Sequence, residues 1–163
     1  MRQRQSDVPL STPGSAVSRT RYAELGSASR GEPSPNVLSV SAASEYHDSL
    51  RRSLNDPDWR ITPAFSCHQA ITCLCRDRMS VIVCDSYLPD GTWRDILSHI
   101  AELNDPAAVI VTSKTADPHL RAEVRTLGGY DVLTGPFSAE EVRRVLIAAQ
   151  RSRTVAAEEP ALV

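Results

Sequence analysis

No run of 18 apolar residues occurs in this 163-residue chain, so no segment is expected to span a membrane as a helix. The opening stretch, MRQRQSDVPLSTPGSAVSRTR, lacks the apolar centre of a secretory signal. The cytoplasm is therefore the expected compartment. There is no excess of basic charge either. The formal net charge is −2, whereas a nucleic-acid binder ordinarily carries a basic face, so no nucleic-acid partner is expected. Cysteine pairs at zinc-ligand spacing are missing. Cys73 and Cys75 are spaced C-x-C, and Cys67 is followed by His68, whereas a zinc site favours C-x-x-C pairs. The four cysteines, Cys67, Cys73, Cys75 and Cys84, are expected to be reduced. Cys73 and Cys84 are read as small apolar fillers of a helix and a strand, and no metal is assigned. A phosphate-cradling glycine loop and a nucleophile–base pair are also absent, so an enzyme is not expected. Lysine is almost missing: Lys114 is the only one.

What remains is enough for one domain. Hydrophobic residues make up 41% and charged residues 23%, the balance of a soluble globular chain with a core. Residues 1–35 are rich in Ser, Pro, Gly and Arg without an apolar period, which predicts a disordered tail. Residues 151–163 read as a frayed C-terminal tail. Between them, over 36–150, strands and helices alternate. Strands are expected at Asn36–Val40, Trp59–Phe65, Ser80–Asp85, Ala107–Thr112 and Tyr130–Leu133. Helices are expected at Ser44–Leu54, Cys67–Arg78, Trp93–Leu103, Asp117–Leu127 and from Ser138 onward, with Leu88–Gly91 as a turn. Ser44 is a candidate N-cap, and Ser138 with Glu141 reads as a capping box. The central strands, VIVCD and AVIVT, are apolar throughout rather than alternating. Strands of that kind are buried on both faces, which predicts an α/β fold with a doubly wound, five-stranded parallel sheet between helices.

In such sheets, ligands sit at the carboxyl ends of the strands. The residues there are Ser41, Asp85, Thr112 and the segment Leu133–Pro136. A carboxylate at a strand end can accept a phosphoryl group, hold a cation or simply shape a turn. A hydroxyl on the next strand can hydrogen-bond a phosphoryl oxygen or simply end the strand. Neither residue is informative alone. The ordered set of Asp85, Thr112 and Gly135-Pro136-Phe137 is far more restrictive.

That set resembles the response-regulator receiver domain. Three segments carry the resemblance: Val81-Ile82-Val83-Cys84-Asp85-Ser86-Tyr87-Leu88-Pro89-Asp90-Gly91, Val109-Ile110-Val111-Thr112-Ser113, and Gly128-Gly129-Tyr130-Asp131-Val132-Leu133-Thr134-Gly135-Pro136-Phe137. It implies a flavodoxin-like (βα)5 fold, Asp85 as phosphoacceptor and Thr112 as the phosphate-sensing switch. A sensor histidine kinase or phosphotransfer protein would be the upstream partner and a second protein the downstream one. The chain departs from the family pattern where the machinery should be densest. Ser41 and Ala42 stand where the resemblance implies an acidic, cation-holding pair. Gly135 replaces the lysine that pairs with the phosphoryl group. Val132 replaces the switch aromatic, with Tyr130 two residues earlier taken to share its strand face. No cofactor is assigned, and magnesium is expected to bind weakly, since a hard cation wants several oxygen ligands. Lys114, two residues after Thr112, is read as a solvated loop lysine. Two functions follow: a phosphorelay receiver, or a pseudo-receiver that binds partners without phosphate. No DNA-binding module is expected after residue 150, so output would pass through protein contacts.

Overall fold

The computed structural model describes residues 34–158. The tail expected over 1–35 therefore lies outside the described residues, except for Ser34 and Pro35. Pro35 already belongs to the fold, because its carbonyl accepts a bond from Arg60 N–H at 3.1 Å. In chain order the elements are β1 (Asn36–Val40), α1 (Ser44–Leu54), β2 (Arg60–Ala64), α2 (Cys67–Arg76) and β3 (Val81–Asp85). There follow β4 (Tyr87–Leu88), β5 (Gly91–Thr92), α3 (Trp93–Ala101), β6 (Ala108–Ser113), α4 (Pro118–Thr126), β7 (Asp131–Thr134) and α5 (Ala139–Glu158). Five strands form one sheet in the order β2-β1-β3-β6-β7, all parallel. The expected doubly wound α/β fold is the one observed.

Strand alternation builds two cores. Leu38, Val40, Ile82, Cys84, Val109, Val111 and Val132 point to one face, packing against Ala70 and Leu74 of α2, Trp93, Ile96 and Ile100 of α3 and Val124 of α4. Val37, Val81, Val83, Ile110 and Leu133 point to the other, where Leu50 and Leu54 of α1 meet Val142, Leu146 and Ala149 of α5. Buried apolar area of this kind is worth about 25 cal/mol per Å², and it explains why these strands carry no polar face.

Local chemistry sets the element ends. Thr92 and Asp95 form a capping box at the start of α3, and Asp117 caps α4 with Pro118 in its first turn. Gly128 follows α4 with φ of 98°, a conformation that costs glycine least. Ser138 Oγ accepts from Glu141 N at 3.0 Å, which is one half of the capping box expected there. Two expectations are corrected. Ser44 lies inside α1, and Ala43 takes the N-cap position without a side-chain bond; Ser41 Oγ, further upstream, accepts Ala43 N at 3.2 Å instead. The turn expected at Leu88–Gly91 is present, as the tip of a small hairpin of β4 and β5. Residues 151–158 are not a frayed tail, because α5 continues past Gln150 to Glu158. No Gly or Pro interrupts that stretch before Pro160, and Arg153 is tied to Asp105, which also pairs with Arg78.

Candidate functional site

Parallel pairing brings the candidate residues together. β3 lies between β1 and β6, so the carboxyl ends of three adjacent strands meet at Asp85. Thr112 is its register partner on β6. Ser41, one residue past β1, reaches across from the other side. Ser41 Oγ donates to Asp85 Oδ2 at 3.4 Å, and Ser86 N–H donates to Asp85 Oδ1 at 2.9 Å. The same Ser86 N–H also approaches Thr112 O at 3.0 Å, which ties the ends of β3 and β6 together. Ser41 and Thr112 are buried, whereas Asp85 is half-buried and Ala42 exposed. Both carboxylate oxygens are thus held, one by a hydroxyl and one by a backbone donor, at a rim that solvent still reaches.

Two further side chains complete the site, and neither was singled out for it by sequence pattern. Tyr46, on α1, places its hydroxyl 2.9 Å from Thr112 Oγ1. Thr112 Oγ1 also donates to Cys84 O at 3.4 Å. Burial, chiefly, pushes the Tyr46 phenol well above its ordinary range, so it serves as a neutral hydroxyl. His47, the next residue, is 3% exposed. Its Nε2–H donates to Ser41 O at 3.0 Å, which leaves Nδ1 to accept from Ser39 Oγ at 2.7 Å. Burial holds its pKa below the usual histidine value. His47 therefore braces the backbone of the residue that contacts Asp85. Tyr46 stands four and eight residues before Leu50 and Leu54, a helical spacing that signals burial. Nothing in the sequence showed that the strand-six hydroxyl would meet it.

The remaining residues singled out from the sequence each have a defined place. Val132 is buried in the core shared by α2, α3 and α4. Tyr130 lies before β7 begins and packs into the opposite core. The expected shared face of Tyr130 and Val132 is thus incorrect, because the chain is still in the loop after Gly129 and has not entered strand alternation. Gly135 donates its N–H to Ser113 O at 2.8 Å and precedes Pro136 through a cis bond. A Cβ at Gly135 would meet its nearest neighbour, Phe137, at 3.6 Å, which is ordinary contact, so the position admits a side chain. Lys114 is exposed in the loop after β6.

A divalent cation does not fit this donor set. Ser41 offers a hydroxyl already given to Asp85, and Ala42 offers no side-chain ligand. Among the described residues, no three His, Cys, Asp or Glu side chains gather to hold a metal ion. A hard cation needs six or more oxygen ligands, several of them anionic for tight binding. Asp90, in the hairpin behind the site, is committed elsewhere. Its carboxylate accepts Cys67 N at 2.7 Å and His68 N at 2.9 Å, capping the start of α2. Those bonds hold its pKa below the usual carboxylate value.

Comparison with known proteins agrees with this architecture. The family model described as the response regulator receiver domain matches residues 37–147. The probable transcriptional regulatory protein TcrX of Mycobacterium tuberculosis is 32% identical over 112 residues, covering 69% of this chain and 47% of that protein. The chain thus spans about half the length of this curated relative. The signal receiver domain of a putative LuxO repressor protein from Vibrio parahaemolyticus superposes with a TM-score of 0.71 at 21% identity, covering 77% of this chain and 98% of that one. The receiver domain of Francisella response regulator 1452 superposes with a TM-score of 0.64 at 25% identity, covering 72% and 98%. Among the described residues, no helix is long and apolar enough to cross a membrane.

Proposed function

Because the chain belongs to the response-regulator receiver family of two-component signalling, we propose that Asp85 is its phosphoacceptor in a phosphorelay. Output would pass to a partner protein through surface contacts. The observation that carries this reading is the register of Asp85 with Thr112 at the carboxyl end of the central strand. An Asp85 carboxylate oxygen would attack the phosphorus of a phosphohistidine on a sensor kinase or phosphotransfer protein. The new O–P bond forms as the P–N bond breaks, and the imidazole leaves. Developing charge would be met by hydroxyl and backbone donors: Ser41 Oγ, Thr112 Oγ1 and Ser86 N–H. Neutral donors stabilise such charge less than fixed cations do, so transfer should be slow.

A second reading is favoured by that same poverty of charge. With Ser41, Ala42 and Gly135 where cationic and anionic groups would assist transfer, the domain would act as a phosphorylation-independent binding module. Treatment with acetyl phosphate, followed by intact-mass measurement, separates the two. Under the first reading, one phosphoryl group is incorporated slowly and is lost entirely in Asp85→Asn. Gly135→Lys, which the space at that position admits, should accelerate incorporation by about tenfold or more by placing a cation near the acceptor. No incorporation in either the native chain or Gly135→Lys would reject Asp85 as an acceptor.

A further inference from the structure

The face of the sheet covered by α1 and α5 is incompletely filled. A cavity of about 240 Å³ lies there, walled by Leu50, Val83, Leu133, Phe137 and Val142. Tyr46 and Thr112 also line it, and Glu45 is the only charged residue on its lining. For comparison, an apolar cavity of about 150 Å³ is large enough to hold benzene, so this one accommodates a substituted aromatic ring.

Two hydroxyls on the lining pair with each other. Thr112 Oγ1 lies 3.4 Å from Cys84 O and 2.9 Å from the Tyr46 oxygen, and either hydroxyl can donate in that shorter bond. In both arrangements the Tyr46 oxygen keeps a lone pair that no donor among the described residues fills, on a lining that also carries Glu45, Ser49 and Ser53. A buried acceptor in that condition favours an incoming group that brings its own proton. The single acidic residue, with no basic one on the lining, disfavours an anion.

We propose that this cavity is a binding site for a small uncharged aromatic molecule bearing one O–H or N–H donor. The ring lies among the apolar walls and the donor reaches the Tyr46 oxygen. An occupant touches Thr112, the hydroxyl in register with Asp85, so occupancy and the state of the strand ends are linked. The site stands whether or not Asp85 accepts phosphate, and it gives the domain an input that needs neither cation nor phosphoryl group.

Titration of the full chain with phenol, followed by amide NMR, tests this, with toluene as the ring without a donor. Saturable shifts should appear at Thr112, Leu133 and Phe137, with affinity in the millimolar range or tighter. Phenol should bind about tenfold more tightly than toluene, as one added hydrogen bond allows. Tyr46→Phe should reduce phenol to the affinity of toluene. Val142→Phe should fill the cavity and abolish both. Ser49→Phe, at an exposed position on the cavity lining, provides the same block without touching the core. The proposal is overturned by an absence of saturable shifts, by binding that survives both blocking substitutions, or by a phenol preference that Tyr46→Phe leaves intact.

Discussion

At the scale of single residues, His47 is the most constrained polar group near the strand ends. It is neutral, buried and bonded on both ring nitrogens. Its folded pKa lies below the ordinary 6.5, with burial the largest cause. In the unfolded chain the ring takes up a proton as pH falls through about 6.5, whereas the folded protein refuses it. Stability contributed by the neutral ring is thus full above that pH and declines as pH falls toward the folded value. His47→Gln should flatten the decline. Thermal melts between pH 7.5 and 5.5 check this: the melting temperature of the native protein should fall more over that range than the variant's. Equal slopes would mean that other groups govern the acid side. The same histidine fixes the Ser41 carbonyl, so amide shifts of Ser41 and Asp85 should move together as it titrates.

At the scale of elements, the hairpin formed by β4 and β5 is a tie between the site and α2. Asp90 adds a second cap to a helix that starts 23 residues earlier in the chain, beside the local N-cap in which Ser66 Oγ accepts from Gln69 N. Asp90→Ala should therefore leave the sheet intact and speed amide exchange at Cys67 and His68 selectively. Exchange unchanged at both amides would show the cap to be idle. Because its folded pKa is lowered, the contribution of Asp90 is present above the ordinary carboxylate range. It is lost as pH falls through the folded value. This tie marks the boundary of what the sequence disclosed. Strand and helix order, the placement of Asp85 and Thr112 at strand ends, and the apolar central strands were legible because burial leaves its pattern on neighbouring residues. The Asp90 cap and the Tyr46–Thr112 pair were not, because they join segments that meet only through sheet order. The extension of α5 was missed for a different reason: its polar, arginine-rich surface gives no stripe, and its anchor at Asp105 is distant in sequence. Tyr130 was misassigned because a two-residue period was extended past the start of its strand.

At the scale of the molecule, stability rests on two cores that share one sheet. Leu146, fully buried on α5, belongs to the core beneath the proposed cavity. Leu146→Ala should cost about 2–5 kcal/mol, the usual range for a buried leucine. Val155, 60% exposed further along the same helix, should tolerate alanine within about 0.5 kcal/mol. Urea denaturation of both variants checks the contrast. Near-equal midpoints would mean that α5 is held by its polar anchor rather than its apolar face.

The strand order also carries a kinetic consequence. Ser41 meets Asp85 across 44 residues of chain, and Tyr46 meets Thr112 across 66. Each contact closes a long loop whose entropy is lost before the contact repays it. The rim around Asp85 therefore cannot exist in miniature on any half of the sheet. It comes into being only when the first, third and sixth strands have all docked. A chain paused part-way through folding would hold recognisable helices yet no acceptor site, so a partner that recognises the rim also distinguishes finished molecules from unfinished ones.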